Sequence, residues 1–137
     1  MKKIVSTIIA LLLISSPPVI SLALELEGAQ ENVRMNTNDA GAHFQLGVTY
    51  SKLSQYDKAI ASFKEAIQLK PNYFEAHYNL GATKYYTGQH HQAIISLKEA
   101  IKLKSNDADT HYALGLSYSR LGQYQQAISS YEEALRV

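Results

Sequence analysis

Residues 74–107 read FEAHYNLGATKYYTGQHHQAIISLKEAIKLKSND, and the equally long stretch before them, AGAHFQLGVTYSKLSQYDKAIASFKEAIQLKPNY at 40–73, is a variant of the same line. A third version, ADTHYALGLSYSRLGQYQQAISSYEEALRV, occupies 108–137 and stops four residues short of the 34-residue period. Across all three the same residue returns at His43/His77/His111, Leu46/Leu80/Leu114, Gly47/Gly81/Gly115, Gln55/Gln89/Gln123, Ala59/Ala93/Ala127, Ile60/Ile94/Ile128, Ser62/Ser96/Ser130, Glu65/Glu99/Glu133 and Ala66/Ala100/Ala134. Self-similarity at a fixed period of this size marks a stack of small structural units. None of them can bury its apolar face alone, and about three are needed for a stable array.

Each line holds two amphipathic helices. Leu46, Gly47, Tyr50 and Leu53 recur at three- and four-residue spacing, as do Ala59, Ile60, Phe63, Ala66, Ile67 and Leu69. The helices are expected at about 41–53, 56–69, 75–87, 90–103, 109–121 and 124–136, within a few residues. Gly88 and Gly122 sit in the turn of the second and third pairs, where glycine takes positive φ without strain. Ser54 stands there in the first pair, so that turn is expected to be the least regular. Gly47, Ala59 and Ala66 with their equivalents are small where helix backbones must approach, while Phe63, Leu97 and Tyr131 fill the volume beside them. Asn38, Asn72 and Asn106 precede the first helix of each pair and are expected to cap it. Glu75 completes a capping box with Asn72.

From Ala40 to Val137 the chain closely resembles the tetratricopeptide repeat family. The motif stands in the first line as LGVTY, A-x3-F, A and P, through Leu46, Gly47, Tyr50, Ala59, Phe63, Ala66 and Pro71. The third line keeps LGLSY, Ala127, Tyr131 and Ala134. The second departs twice, with Lys84 in place of Tyr50 and Tyr118, and Ser105 in place of Pro71. The resemblance implies an all-α, right-handed superhelical solenoid of three helix-turn-helix repeats, at 40–73, 74–107 and 108–137.

It also implies a function. In that family the first helix of each pair lines a concave groove that takes peptide segments. The matching positions here are Phe44, Val48 and Lys52, then Tyr78, Asn79, Ala82, Tyr85 and Tyr86, then Tyr112, Leu116 and Arg120. Phe44, Tyr78 and Tyr112 would form a ladder of rings with Lys52 and Arg120 toward the outer repeats, the aromatic chemistry that binding hot spots use. The same rings would also serve packing between helices. A subset of the family grips C-terminal carboxylates of chaperones, but Phe44, Val48, Asp109 and Ala113 replace its polar and basic residues. Only Asn79 matches.

The start of the chain carries an address. Met1-Lys2-Lys3 precedes the apolar run IVSTIIALLLI, a positive head and hydrophobic core of secretory-signal proportions. Pro17 and Pro18 end the run, and Ser21 and Ala23 form a small-x-small cleavage pattern. Residues 1–23 therefore read as a signal peptide, placing the mature chain outside the cytoplasm, periplasmic or secreted. The alternative is an uncleaved anchor, since residues 4–24 are mostly apolar and roughly 20 such residues span a bilayer. The prolines and serines in that window argue against it, and no membrane span is expected after cleavage. Val33 and Met35 precede Ile67 and Leu69 by one period, so residues 24–39 read as a linker with a degenerate helix, at about 25–36, covering the first repeat. The last helix has no cover, and pairing of two copies through it is the alternative to a peptide-holding role.

Composition narrows the remaining options. Lysine plus arginine, 13, nearly balances aspartate plus glutamate, 12, and no run of like charge exists, so the footprint of a nucleic-acid binder is missing. With no cysteine there is no disulfide frame and no thiolate metal site. The His43, His77 and His111 series cannot converge on one metal, because equivalent positions of stacked pairs lie roughly 10 Å apart while zinc needs nitrogens about 2 Å from one ion. His90 and His91 are neighbours on a helix and diverge. No nucleophile elbow, phosphate-cradling glycine loop or paired-carboxylate motif appears, so neither an enzyme nor a cofactor is expected, and the partner is a protein or peptide of the cell envelope.

Overall fold

The computed structural model describes residues 1–2, 4–5 and 17–137. Seven helices run from Pro17 onward: α1 (Pro17–Met35), α2 (Ala40–Lys52), α3 (Tyr56–Leu69), α4 (Phe74–Tyr86), α5 (His90–Leu103), α6 (Ala108–Arg120) and α7 (Tyr124–Arg136). They form three antiparallel hairpins, α2/α3, α4/α5 and α6/α7. Each hairpin is held by dense packing between its own helices, and its second helix packs on the first helix of the next. The second helices start and end where the apolar spacing placed them. The first helices all begin and end one residue earlier than expected.

That shift follows from the caps. Asp39 accepts the Gly41 amide at 2.8 Å, and Asp107 accepts both the amide of Thr110 at 3.1 Å and its hydroxyl at 2.6 Å. The asparagines one residue earlier are exposed and cap nothing, which corrects the capping reading of Asn38, Asn72 and Asn106. At the N-cap of α4 stands Tyr73, which has no side-chain cap bond, so the box with Glu75 does not form. The histidine series secures these junctions instead. Nε2 of His43, His77 and His111 donates to the carbonyls of Thr37, Pro71 and Ser105 at 2.9, 2.8 and 2.8 Å, tying each first helix to the turn before it.

The turn within the first hairpin is as regular as the other two, contrary to expectation. Ser54 adopts φ 57°, alongside 77° at Gly88 and 72° at Gly122. The amide after it bonds back five residues in each case, Gln55 to Tyr50, Gln89 to Lys84 and Gln123 to Tyr118. Ser54 therefore takes a left-handed conformation disfavoured by its Cβ, and the strain is local rather than relieved by distortion.

Two core clusters lie along the stack. The first gathers Leu46, Tyr50, Ala59, Ile60, Phe63 and Leu80, the second Ile94, Leu97 and Leu114. Leu26, Ala29 and Val33 of α1 pack against the first, Gln30 Nε2 donates to the Tyr50 hydroxyl at 3.0 Å, and Lys52 pairs with Glu25 at 2.9 Å. Thus α1 sits against α2 as α3 sits against α4. The helix is longer than the sequence pattern suggested because Pro17 and Pro18 begin it: first-turn amides have no intrahelical acceptor, so proline is tolerated there. It runs through the Ala23–Leu24 bond assigned to signal cleavage. The centre of the apolar leader, residues 6–16, lies outside the described residues. Among those described, no helix is long and apolar enough to cross a membrane. At the other end, Ile128 is exposed although its counterparts Ile60 and Ile94 are buried, and Tyr124 and Leu135 are exposed beside it.

A candidate peptide groove between the second and third repeats

The first helix of each hairpin carries one stripe of the residues expected to line the groove, but the three stripes are not equivalent. Phe44 packs into the core, its ring 5.8 Å from Phe63 and 5.1 Å from Tyr73. Tyr73 occupies the N-cap position that aspartate holds in the other two repeats, so a ring roofs Phe44 where a carboxylate would otherwise stand. One repeat further on, Tyr78 meets Asp107 and Asp109 instead. Burial first, then these two carboxylates, raise its phenol above the ordinary tyrosine range, so it stays a neutral hydroxyl. Tyr112 lies 54% exposed, its ring 5.6 Å from that of Tyr131 between centres.

The result is a cleft of about 160 Å³ between α4 and α6, lined by Tyr78, Ala82, Tyr85, Tyr86, Tyr112 and Leu116 together with Asp109 and Ala113. It opens into a wider depression of about 620 Å³, shared by Tyr85, Tyr86, Tyr112 and Leu116 and bounded by Gly88, His90 and Arg120. Neighbouring rings support the lining. Tyr85 and Tyr86 meet edge to face at 5.7 Å, and Tyr86 stacks on Tyr56 of the preceding hairpin at 6.2 Å. Arg120 Nε donates to the Tyr85 hydroxyl at 3.0 Å, bridging consecutive repeats.

Seven residues proposed from sequence are thus brought together: Tyr78, Ala82, Tyr85, Tyr86, Tyr112, Leu116 and Arg120. Four are not. Phe44 and Val48 pack against the first core cluster, Lys52 is held by Glu25, and Asn79 donates to the Glu75 carbonyl of its own helix at 2.8 Å. Asp109, Ala113 and His90 line the groove and were not proposed for it. Asp109 and Ala113 share the stripe of Tyr112 and Leu116 at three-residue spacing, a signal present in the sequence. His90 belongs to α5 and reaches the groove only because its ring lies 5.3 Å from that of Tyr85.

The serines at the repeat period donate to the carbonyl four residues back, from Ser62 to Lys58, Ser96 to Gln92 and Ser130 to Gln126, as residues seated within a helix do. The departure at Lys84 has a partner: its ammonium, buried, donates to the Ser96 hydroxyl at 3.1 Å. Burial and the nearby Lys64 lower its pKa from the ordinary lysine range.

Models of the TPR repeat match residues 52–88 and 83–122, and a tetratricopeptide repeat model matches 108–137. The chain belongs to the tetratricopeptide repeat family. Repeats of this kind are scaffolds for protein–protein interaction, and the groove lies on the face formed by their first helices. Among solved structures the chain is similar to a crystal structure of MamA, at 27% identity and a TM-score of 0.78 over 81% of this chain, and it spans 65% of that protein's length. It is similar also to the portion of MamA from Desulfovibrio magneticus RS-1 that runs from residue 41 to the end, at 27% identity and 0.78 over 98% of this chain and 73% of that one. A double mutant of MamA RS-1 superposes with a TM-score of 0.81 at the same identity and coverage. No curated protein matches.

Proposed function

We propose that this tetratricopeptide repeat protein is an exported, non-catalytic adaptor that holds a segment of another envelope protein in the groove between α4 and α6. One observation carries the reading: Tyr86 and Tyr112 remain 71% and 54% exposed at the mouth of a cleft whose other walls, Asp109 apart, are also aromatic or aliphatic. Large rings kept wet and braced by neighbours lose little entropy when a partner covers them, which suits them as anchors. Export rests on the positive head and apolar run of the first 23 residues.

The test is a double substitution, Tyr78→Ala with Tyr112→Ala, in the mature chain used as bait for envelope extract. Loss of a co-purifying protein with helicity retained supports the groove. Equal loss of helicity would make the two tyrosines core residues and remove the site. For export, protein recovered from cells should begin near Leu24 and dissolve without detergent; intact Met1 in the membrane fraction would overturn it.

A second reading, self-association, is favoured by the exposed stripe of Tyr124, Ile128 and Leu135 on α7. Two copies pairing through that helix would show as concentration-dependent mass in light scattering, abolished by Ile128→Glu.

A further inference from the structure

The groove has a polarity that its aromatic lining does not explain. Among the described residues the other two arginines are each neutralised by a glutamate three residues away, Arg34 by Glu31 and Arg136 by Glu133. Arg120 has no carboxylate partner. Its Nε is engaged by the Tyr85 hydroxyl, and the guanidinium lies 5.8 Å from the centre of that ring. This arrangement anchors the group at Nε, leaves its terminal nitrogens without a hydrogen-bond partner among the described residues, and sets Arg120 on the depression it shares with Tyr112 and Leu116. At the opposite end of the same helix, Asp109 lines the inner cleft and is likewise without an ion-pair partner. Eleven residues separate the two, about 16 Å along an α-helix. Each charge suits its own end of the α6 dipole. That account does not require the cross-repeat bond from Arg120 to Tyr85.

We propose that Arg120 reads an acidic side chain within the bound segment, beside an apolar residue seated between Tyr78, Tyr112 and Leu116. The ligand is an internal stretch of protein, bearing Asp or Glu next to its apolar anchor. A basic residue toward Asp109 would lie about five positions away if the segment is extended, at roughly 3.3 Å per residue. Terminal guanidinium nitrogens suit a carboxylate because the planar fork matches its two oxygens. The Tyr85 hydroxyl acts as a positioning group, holding that fork in place before the ligand arrives. This inference rests on the groove reading above and adds the chemical class of what the groove selects.

The experiment uses random dodecapeptides displayed with both ends fused, so that no free terminal carboxylate is present, selected on the mature chain. The expected pool is enriched in an apolar residue with an adjacent Asp or Glu. On Arg120→Leu, an exposed position where circular dichroism serves to check that the fold is kept, the acidic preference should be lost and the apolar preference kept. A selected peptide should bind Arg120→Leu about tenfold or more weakly, the loss typical of a hydrogen bond to a charged group. Arg120→Lys should recover part of the affinity, and Tyr85→Phe should reduce it by a smaller factor. Apolar enrichment without acidic preference on the unaltered chain would overturn the role of Arg120 while leaving the groove intact. A pool no different from that on the Tyr78→Ala, Tyr112→Ala chain would overturn both.

Discussion

A single methyl group added at Gly81 sets two effects against each other. Alanine is favoured over glycine in a helix interior by about 1 kcal/mol. Against that, a Cβ at Gly81 would lie 2.6 Å from Leu97 Cγ, 2.9 Å from Leu97 Cδ2 and 3.2 Å from the Ala93 carbonyl oxygen. Carbon atoms pack best near 3.5–4.0 Å, so something must move by about 1 Å. Leu97 has 0% exposure, its branch point sits close to its own backbone, and Ala93 beside it is equally buried. Overpacking of such a site costs about 1–3 kcal/mol, which after the propensity gain leaves Gly81→Ala net destabilising by about 1 kcal/mol, the middle of the resulting range.

The same substitution at Gly47 meets the edge of Phe63 at 2.6 Å, a fully buried ring packed against Phe44, and should cost a similar amount. At Gly115 the obstacle is Tyr131 at 2.5 Å, but that ring belongs to α7, whose outer flank is open and allows it to swing. Gly115→Ala should therefore be close to neutral. Urea denaturation followed by circular dichroism measures all three, with midpoints compared at constant slope. Equal effects in the three repeats, or a gain of stability at Gly81, would refute the claim that these glycines are set by helix approach rather than by the repeat alone.

Ser54→Gly should stabilise the chain by up to about 1 kcal/mol, because glycine relieves the left-handed strain while gaining unfolded-state entropy that offsets part of the benefit; an unchanged or lower urea midpoint would mean the turn is not strained. Lys84→Met should raise the melting temperature near neutral pH, since a buried ammonium whose hydrogen-bond partner is a hydroxyl is replaced by an apolar chain of similar length. The pKa of Lys84 is lowered in the folded state, so between that value and the ordinary lysine pKa the unfolded chain holds more protons and the native protein gains stability as pH rises. The advantage of Lys84→Met should accordingly shrink toward pH 10, and a difference independent of pH would show that the amine is solvated.

Much of this architecture was legible before any coordinate. The spacing of Ala59, Ile60, Phe63 and Ala66 placed α3 to the residue, and its counterparts did the same for α5 and α7, because a helix that buries one face cannot hide its period. The caps were misread by one position: Asn38, Asn72 and Asn106 recur faithfully, whereas the working caps, Asp39 and Asp107, are interrupted by Tyr73. Periodicity favoured the residue that repeats over the one that bonds. For the groove, Tyr78, Ala82, Tyr85, Tyr112 and Leu116 came from the family resemblance, which points to the first helix of each pair as the lining. His90 was not, since it comes from a different helix.

By itself, then, the sequence determined the period, the helical hairpins, the small residues at the helix contacts and the face on which the aromatic residues lie, all of them consequences of local spacing and side-chain volume. Only the tertiary structure decided which aromatics are available. Phe44, Tyr78 and Tyr112 share one register, yet Phe44 is roofed by Tyr73, Tyr78 faces two carboxylates and Tyr112 stands open. What distinguishes them is the residue that the chain lays against each ring at the junction with the following helix pair, a contact between positions far apart in sequence that helical register does not reveal.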